Sequence, residues 1–218
     1  MTLELFAHPF SSYSQKVLIA LWADETSFTY RMLDGQHPGN MDILKRHSPF
    51  AQFPLLLDDG EPVFESTTII DHLATRRPGP NRWIPEGEAG RRTRFLDRFF
   101  DLYVMGNMQV TVFDALRPDG QHDPYGVDKA RANLRIAYDW LDQHLGDGPF
   151  AVGDQFTLAD CAAAPALFYA DWVEEIGASR PRLAAYRARL LSHPPVARAV
   201  DEGRPYRSFF PLGAPDRD

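Results

Sequence analysis

The stretch Gln52-Phe53-Pro54-Leu55-Leu56-Leu57-Asp58-Asp59-Gly60, followed by Pro62-Val63-Phe64-Glu65-Ser66, constrains this chain more than any other. Proline cannot donate to a sheet ladder, so Pro54 must open a strand or stand at a sheet edge. An X-Pro bond directly before a leucine run is a candidate for the cis form. Asp-Gly between two apolar runs signals a tight hairpin, here between residues 55–57 and 62–64. Glu65 and Ser66 then open an apolar run through Ile69, Ile70 and Leu73, which predicts a helix over residues 66–76. A carboxylate, a hydroxyl and a helix N-terminus in one place suit a ligand that carries both an ammonium and a carboxylate. Phe53, at the strand's entry, is expected to turn its backbone N–H and C=O toward that ligand.

Around this hairpin the chain alternates strand and helix. Residues 3–6 read as a strand, residues 16–23 as a helix burying Val17, Leu18, Ala20 and Leu21, and residues 29–33 as a second strand. Strand–helix–strand at this spacing implies parallel pairing. At Arg77-Pro78-Gly79-Pro80-Asn81 breakers accumulate, and beyond them strand signals vanish. Phe95, Leu96, Phe99, Phe100, Tyr103 and Val110 recur near the helical period, predicting a long helix over residues 91–116 with an interruption at Gly106-Asn107. Residues 128–145, 181–191 and 195–202 predict further helices, whereas the tail after Gly203 has no period. The expected division is residues 1–77 as an α/β domain, 78–88 as a linker and 89–218 as an all-helical domain.

Composition excludes several function classes. A net charge of -7 argues against a nucleic-acid surface. Arg91, Arg92, Arg94 and Arg98 cluster at helical spacing beside Glu88 and Asp97, which reads as a solvated helix face. One cysteine, Cys161, permits neither an internal disulfide nor a CxxC centre, and its setting beside Ala162-Ala163-Ala164 predicts a buried thiol. No His/Cys/carboxylate grouping has metal-ligand spacing. No apolar run approaches membrane-spanning length, and the N-terminus lacks signal-peptide regions, so the expected location is the cytoplasm, without membrane contact.

Gly153-Asp154-Gln155-Phe156-Thr157-Leu158-Ala159-Asp160 adds a capping box ahead of a buried helix from Cys161 to Phe168. Together with the Pro54 strand and Glu65-Ser66, and with His193-Pro194-Pro195-Val196-Ala197-Arg198-Ala199 near the end, it resembles the cytosolic glutathione transferase family from Leu3 to Val200. The resemblance is to theta- and zeta-like serine members. It implies a thioredoxin-like α/β N-terminal domain, an all-α C-terminal domain, glutathione as co-substrate without metal, an apolar electrophile and a homodimer.

What the resemblance implies about residues begins at Pro9-Phe10-Ser11-Ser12-Tyr13-Ser14-Gln15-Lys16-Val17, which joins the first strand to the first helix. A hydroxyl here meets converging helix N–H groups and the positive end of the helix dipole. Alignment on Val17-Leu18-Ile19-Ala20-Leu21 places the family's catalytic serine at Ser11, with Ser12 and Tyr13 as alternatives for activating the thiol. Ser12 is otherwise a glutathione contact. Phe53, beside Gln52 and Pro54, would pair its backbone with the cysteinyl part of glutathione, although Val or Ile is commoner there. Glu65 and Ser66 would hold the γ-glutamyl group, and His37 or Lys45 the glycyl carboxylate. Phe10, Tyr103, Met105 and Met108, with the tail around Phe209, would line the electrophile pocket. Other activities on the same scaffold are glutathione-dependent isomerisation, dehalogenation or reduction, and glutathione binding without turnover.

Overall fold

The structure, a computed structural model, describes residues 2–216 and residue 218. Strands β1 (Leu3–Ala7), β2 (Thr29–Met32), β3 (Leu55–Asp58) and β4 (Glu61–Phe64) form one sheet in the order β2-β1-β3-β4. The first strand pairs with β2 in parallel and with β3 antiparallel. Helix α1 (Ser12–Ala23) links β1 to β2, so the expected βαβ unit is present and its helix starts a turn earlier than its apolar period suggested. Asp59 and Gly60 both take positive φ, 50° and 87°, the backbone that a two-residue primed hairpin turn requires. Helix α3 (Ser66–Arg76) follows β4 and spans the predicted residues.

Side-chain alternation divides the sheet's two faces. Leu3, Leu5 and Ala7 join Leu56, Val63 and the apolar sides of α1 and α3 in the main core. Phe6, Leu55 and Leu57 face the other way, onto Leu33 and Leu44. Leu44 belongs to α2 (Pro38–His47), a helix absent from the sequence-based expectation. Its only buried residue is Leu44, so it carries too short an apolar stripe to show a period.

Beyond residue 86 every element is helical. Helices α4 (Gly87–Phe99) and α5 (Gly106–Ala115) run into each other through a π-helical segment, Phe100–Met105. The Gly106 amide bonds back to the Asp101 carbonyl, an i→i+5 bond of the wider π turn. The interruption expected at Gly106-Asn107 therefore lies just upstream, and it widens the helix without ending it. Helices α6 (Pro124–His144), α7 (Leu158–Val173), α8 (Pro181–Ser192) and α9 (Pro194–Gly203) complete the bundle, followed by a 3₁₀ segment, Arg204–Phe209. All of α7 is buried, Cys161 included, and its capping box is closed. The Asp160 carboxylate also accepts from the Ala151 amide and the Tyr186 hydroxyl. The expected plan, an α/β thioredoxin-like N-terminal part and an all-α C-terminal part, is the observed one. Among the described residues no helix is long and apolar enough to cross a membrane.

The two parts meet over a buried charge cluster. Lys16 of α1, with 1% of its side chain exposed, places Nζ 2.6 Å from Asp97 Oδ1 and 2.7 Å from Asp101 Oδ2. The same ammonium donates to Thr67 Oγ1 of α3 at 2.9 Å, and Thr67 donates onward to Asp97. A separate tie comes from Asp24, which accepts from the Asn81 side chain and from Trp83 Nε1 and so fixes the segment before α4. Lys16→Met would leave two carboxylates buried without their cation, at an expected cost of about 3–5 kcal/mol. The measurement is a lower urea midpoint at unchanged slope. A loss below about 1 kcal/mol, the range of exposed ion pairs, would show that this cluster does not hold the two parts together.

Candidate functional site

A cavity of about 940 Å³ opens between the two parts. Its first wall is built from Phe10 to Tyr13, residues 48–54, and Phe64 to Ser66. The opposite wall comes from α4, the π segment and α5, with Tyr169 at the base and Phe209 to Pro211 at the rim.

The backbone of the β1–α1 loop, residues 8–11, is accounted for in hydrogen bonds. The His8 amide donates to Ser14 Oγ and the Phe10 amide to His8 Nδ1, while Ser11 N bonds the His8 carbonyl. The Pro9 carbonyl accepts from Gln15 Nε2 and the Phe10 carbonyl from the Tyr169 hydroxyl. Ser11 is the N-cap of α1, and its Oγ accepts from Ser14 N at 3.3 Å. Among the described residues no acceptor takes the Ser11 hydroxyl proton. Ser12 stands at the first helical position and is buried, and Tyr13 is half-buried. Burial, then the charges of Asp101 and Glu65, push the Tyr13 phenol up to about 12.

Gln52, Phe53 and Pro54 all stand in the wall, with the Phe53–Pro54 bond cis. Ala51 and Glu65 take positive φ, 51° and 66°, and both face the cavity. A side chain in the left-handed region persists only where its surroundings enforce it, and such residues gather at ligand sites. Ser66 is buried at the start of α3, next to Glu65.

Four expected residues stand outside the wall. His37 is drawn to Asp34, its Nδ1 2.7 Å from Oδ1, and serves the turn into α2. Lys45 lies in the last turn of α2, likewise away from the cavity. Met105 is sealed in the core, and Tyr103 is 55% exposed with its ring 5.1 Å from that of Phe99. For Met105 and Tyr103 the cause is the π segment, where each residue advances by less than in an α-helix, so an extrapolated 3.6 period misplaces residues within it. Phe10 and Met108 do face the cavity.

Other wall residues went unforeseen. Arg98 is the only basic side chain in the wall, and among the described residues no acidic partner lies within salt-bridge distance of it. Sequence reasoning placed it on a solvated face; its position three and four residues before Asp101 and Leu102, which share the wall, was the available signal. Val112, Phe113 and Leu116 extend the apolar side, and Phe210 arrives from the aperiodic tail beside Phe209, which was expected there. Among the described residues no group of three or more His, Cys, Asp or Glu side chains could hold a metal ion.

Comparison with known proteins agrees with this geometry. The glutathione S-transferase N-terminal domain model matches residues 5–81 and the C-terminal domain model residues 124–189. Human glutathione S-transferase theta-2 is 30% identical over 200 residues, covering 87% of this chain and 81% of that protein. A stringent starvation protein A homolog of Coxiella burnetii is 27% identical over 164 residues, 75% of this chain and 74% of that one. A Methylobacterium radiotolerans glutathione S-transferase, solved with glutathione sulfonate, superposes with a TM-score of 0.79 at 26% identity, covering 92% of this chain and 95% of that one. A delta-class glutathione transferase of Nilaparvata lugens has the same fold, with a TM-score of 0.81 at 19% identity over 96% and 99% of the two chains. This chain belongs to the glutathione S-transferase family.

The His8 ring gives the loop a pH dependence. Its Nδ1 accepts a backbone proton, so the bond requires the neutral imidazole. Burial lowers its pKa below the ordinary 6.5, against the pull of Asp34, and the Tyr206 ring packs at 4.6 Å. A depressed histidine contributes stability that is complete above the unfolded value and is lost as pH falls through the folded one. Unfolding titrations from about pH 7 to pH 5 should therefore show a fall that His8→Asn reduces. Equal slopes in both proteins would remove His8 from the account.

Proposed function

We propose that the protein is a glutathione transferase that ionises the glutathione thiol on the Ser11 side of the cavity and aims it at an apolar electrophile on the α5 side. The observation that carries this reading is the Ser11 hydroxyl, whose oxygen is held by a helix amide while, among the described residues, its proton has no acceptor. In this role Ser11 donates to the thiolate sulfur and stabilises the anion over the thiol. Lowering a thiol pKa by about two units takes roughly 2.7 kcal/mol. A hydrogen bond to a charged group contributes about 1.5–3 kcal/mol, and the α1 N-terminus adds about 0.3–1.

The remaining roles follow from position. The backbone of Phe53, between Gln52 and Pro54, pairs with the cysteinyl residue of glutathione, and Ser12 contributes beside it. Glu65 and Ser66 bind the γ-glutamyl ammonium and carboxylate, with Arg98 supplying positive charge for a carboxylate. The thiolate sulfur forms its new bond to the electrophilic carbon, the leaving group departs with its electron pair, and the thiol proton goes to water. Phe10, Met108, Val112, Phe113 and Phe209 favour an apolar, aromatic-bearing electrophile. Residues 1–77 act as the glutathione-binding domain, 78–88 as linker and 89–218 as the electrophile domain. The exposed Phe50, Phe95, Leu102 and Tyr103 supply an apolar face for a homodimer.

Reduction through a protein thiol is disfavoured, because the one cysteine, Cys161, is fully buried and its thiol is pushed up by that burial. Binding without turnover is the second reading, favoured by the likeness to a relative not named as a transferase.

The deciding experiment is a thiolate-absorbance titration of glutathione bound to the wild type and to Ser11→Ala. The bound thiol should titrate about two units below the free value of roughly 8.5 in the wild type and return toward it in the variant. Binding with an unshifted thiol would favour the passive module, and loss of the shift in Ser12→Ala alone would move the role to Ser12. Glu65→Ala should raise the Michaelis constant for glutathione about tenfold or more, the loss of a hydrogen bond to a charged group, while turnover at saturation changes less. Unchanged affinity would exclude Glu65 from the site.

A further inference from the structure

The serine loop is held from behind by two buried side chains that no thiol-activation argument requires. Gln15, 2% exposed, points away from the cavity. The two protons on its Nε2 are shared among the Pro9 carbonyl at 2.8 Å, the Tyr169 hydroxyl at 3.1 Å and the Ala199 carbonyl at 3.3 Å. Tyr169 of α7 passes its own proton to the Phe10 carbonyl at 3.0 Å, and its ring meets Phe10 edge-on at 5.4 Å. Two successive carbonyls immediately before Ser11 are thus anchored, one from α1 and one from α7. Helix α9 closes the arrangement, since a methyl group on Gly203 would stand 3.2 Å from Gln15 Nε2 and 3.4 Å from the Pro9 carbonyl oxygen.

We propose that Gln15 and Tyr169 are positioning residues that set the Ser11 hydroxyl against the thiol, locking the serine loop to the helical bundle. The inference rests on the reading of Ser11 given above. Carbonyls released from such a clamp rotate, and the following N-cap rotates with them. A hydrogen bond to a charged acceptor weakens steeply with angle, so a small rotation removes the thiolate's stabilisation without emptying the glutathione site. The pair also explains why a glutamine, and not an apolar residue, lies inside the interface. Among the described residues its amide is the only recorded donor to the Pro9 carbonyl, and a buried carbonyl without a partner is costly. Because α9 leads into the tail bearing Phe209 and Phe210, the same clamp ties the serine to the electrophile's rim.

Gln15→Met keeps the side-chain length and removes the donor. Since Gln15 does not line the cavity, any effect on the thiol must pass through the loop. The expected result is a bound-thiol pKa raised by about one unit and a turnover about tenfold lower, with glutathione affinity within about twofold. Tyr169→Phe should do the same, and the double variant should lose no more than either single one, because the two groups act as one unit. Faster amide exchange at Phe10 and Ser11 in a folded variant would place the cause in the loop.

If the wild-type thiol is depressed and both variants keep it so, the clamp is structural only and the proposal is overturned. If the wild-type thiol is itself unshifted, the role of Ser11 fails first and the positioning role falls with it. Should Gln15→Met not fold, Tyr169→Phe decides together with amide exchange: because Tyr169 also borders the cavity, a raised thiol pKa without faster exchange at Phe10 and Ser11 would overturn the positioning role.

Discussion

The Lys16 ammonium is the interaction on which the rest of the site depends. Three elements converge on it: α1 brings the lysine, α3 brings Thr67, and α4 with its π segment brings Asp97 and Asp101. Each of these elements also carries cavity wall, in the form of Ser11 to Tyr13, Glu65 and Ser66, and Arg98, Asp101 and Leu102. A buried ammonium is tolerated only with its hydrogen bonds satisfied, so the three elements can slide past one another only by exposing or orphaning that charge. Apolar contacts across the same boundary would hold the parts together but would specify their register less sharply. The distance between the two walls is thereby fixed about one helical turn from where the chemistry is proposed.

The carboxylates come from the junction of α4 with the π segment. Asp97 and Asp101 are four residues apart, on one helix face, and both reach one ammonium, while Phe100 and Val104 remain in the core. Asp101 serves the lysine with its side chain still 19% exposed, and it lines the cavity. Burial raises the Asp101 pKa and the Lys16 charge opposes that shift. Strain at the other wall has a similar logic. Ala51, whose amide bonds the Ser48 carbonyl, and Glu65, held between β4 and α3, take backbone conformations that side chains avoid.

What the sequence disclosed was local. The hairpin, the Pro54 strand, α3 and the capping box are each specified by a few contiguous residues whose chemistry permits one backbone solution. The cavity's first wall, assembled from those same segments, was accordingly legible in Ser11, Phe53, Glu65 and their neighbours. The opposite wall was not. Its residues are chosen by the phase of a long helix, and one wider turn shifted that phase, moving Tyr103 outward and Met105 into the core. Helix α2 was hidden because a single leucine buries it, and with it went the basis for assigning His37. Arg98 is exposed, as a solvated helix face requires, and it also borders the cavity; an arginine facing solvent and an arginine facing a large open cavity have the same sequence signature.

The electrostatics of the cavity bear on which hydroxyl could serve a thiolate. The Tyr13 phenol acts as a probe of the site, since burial and then the Asp101 and Glu65 carboxylates raise its pKa. An anion beside that phenol would meet the same desolvation and the same two charges. A thiolate bound as proposed therefore gains most where the α1 amides point at it and the carboxylates are farther off, which is the N-cap side of the loop. The γ-glutamyl ammonium, placed on Glu65, would neutralise one of the opposing charges as it binds, and Arg98 would weaken the other through its position near Asp101. On this account glutathione lowers its own thiol pKa in part by occupying the far end of its site. A truncated thiol lacking the γ-glutamyl group would then lose reactivity as well as affinity.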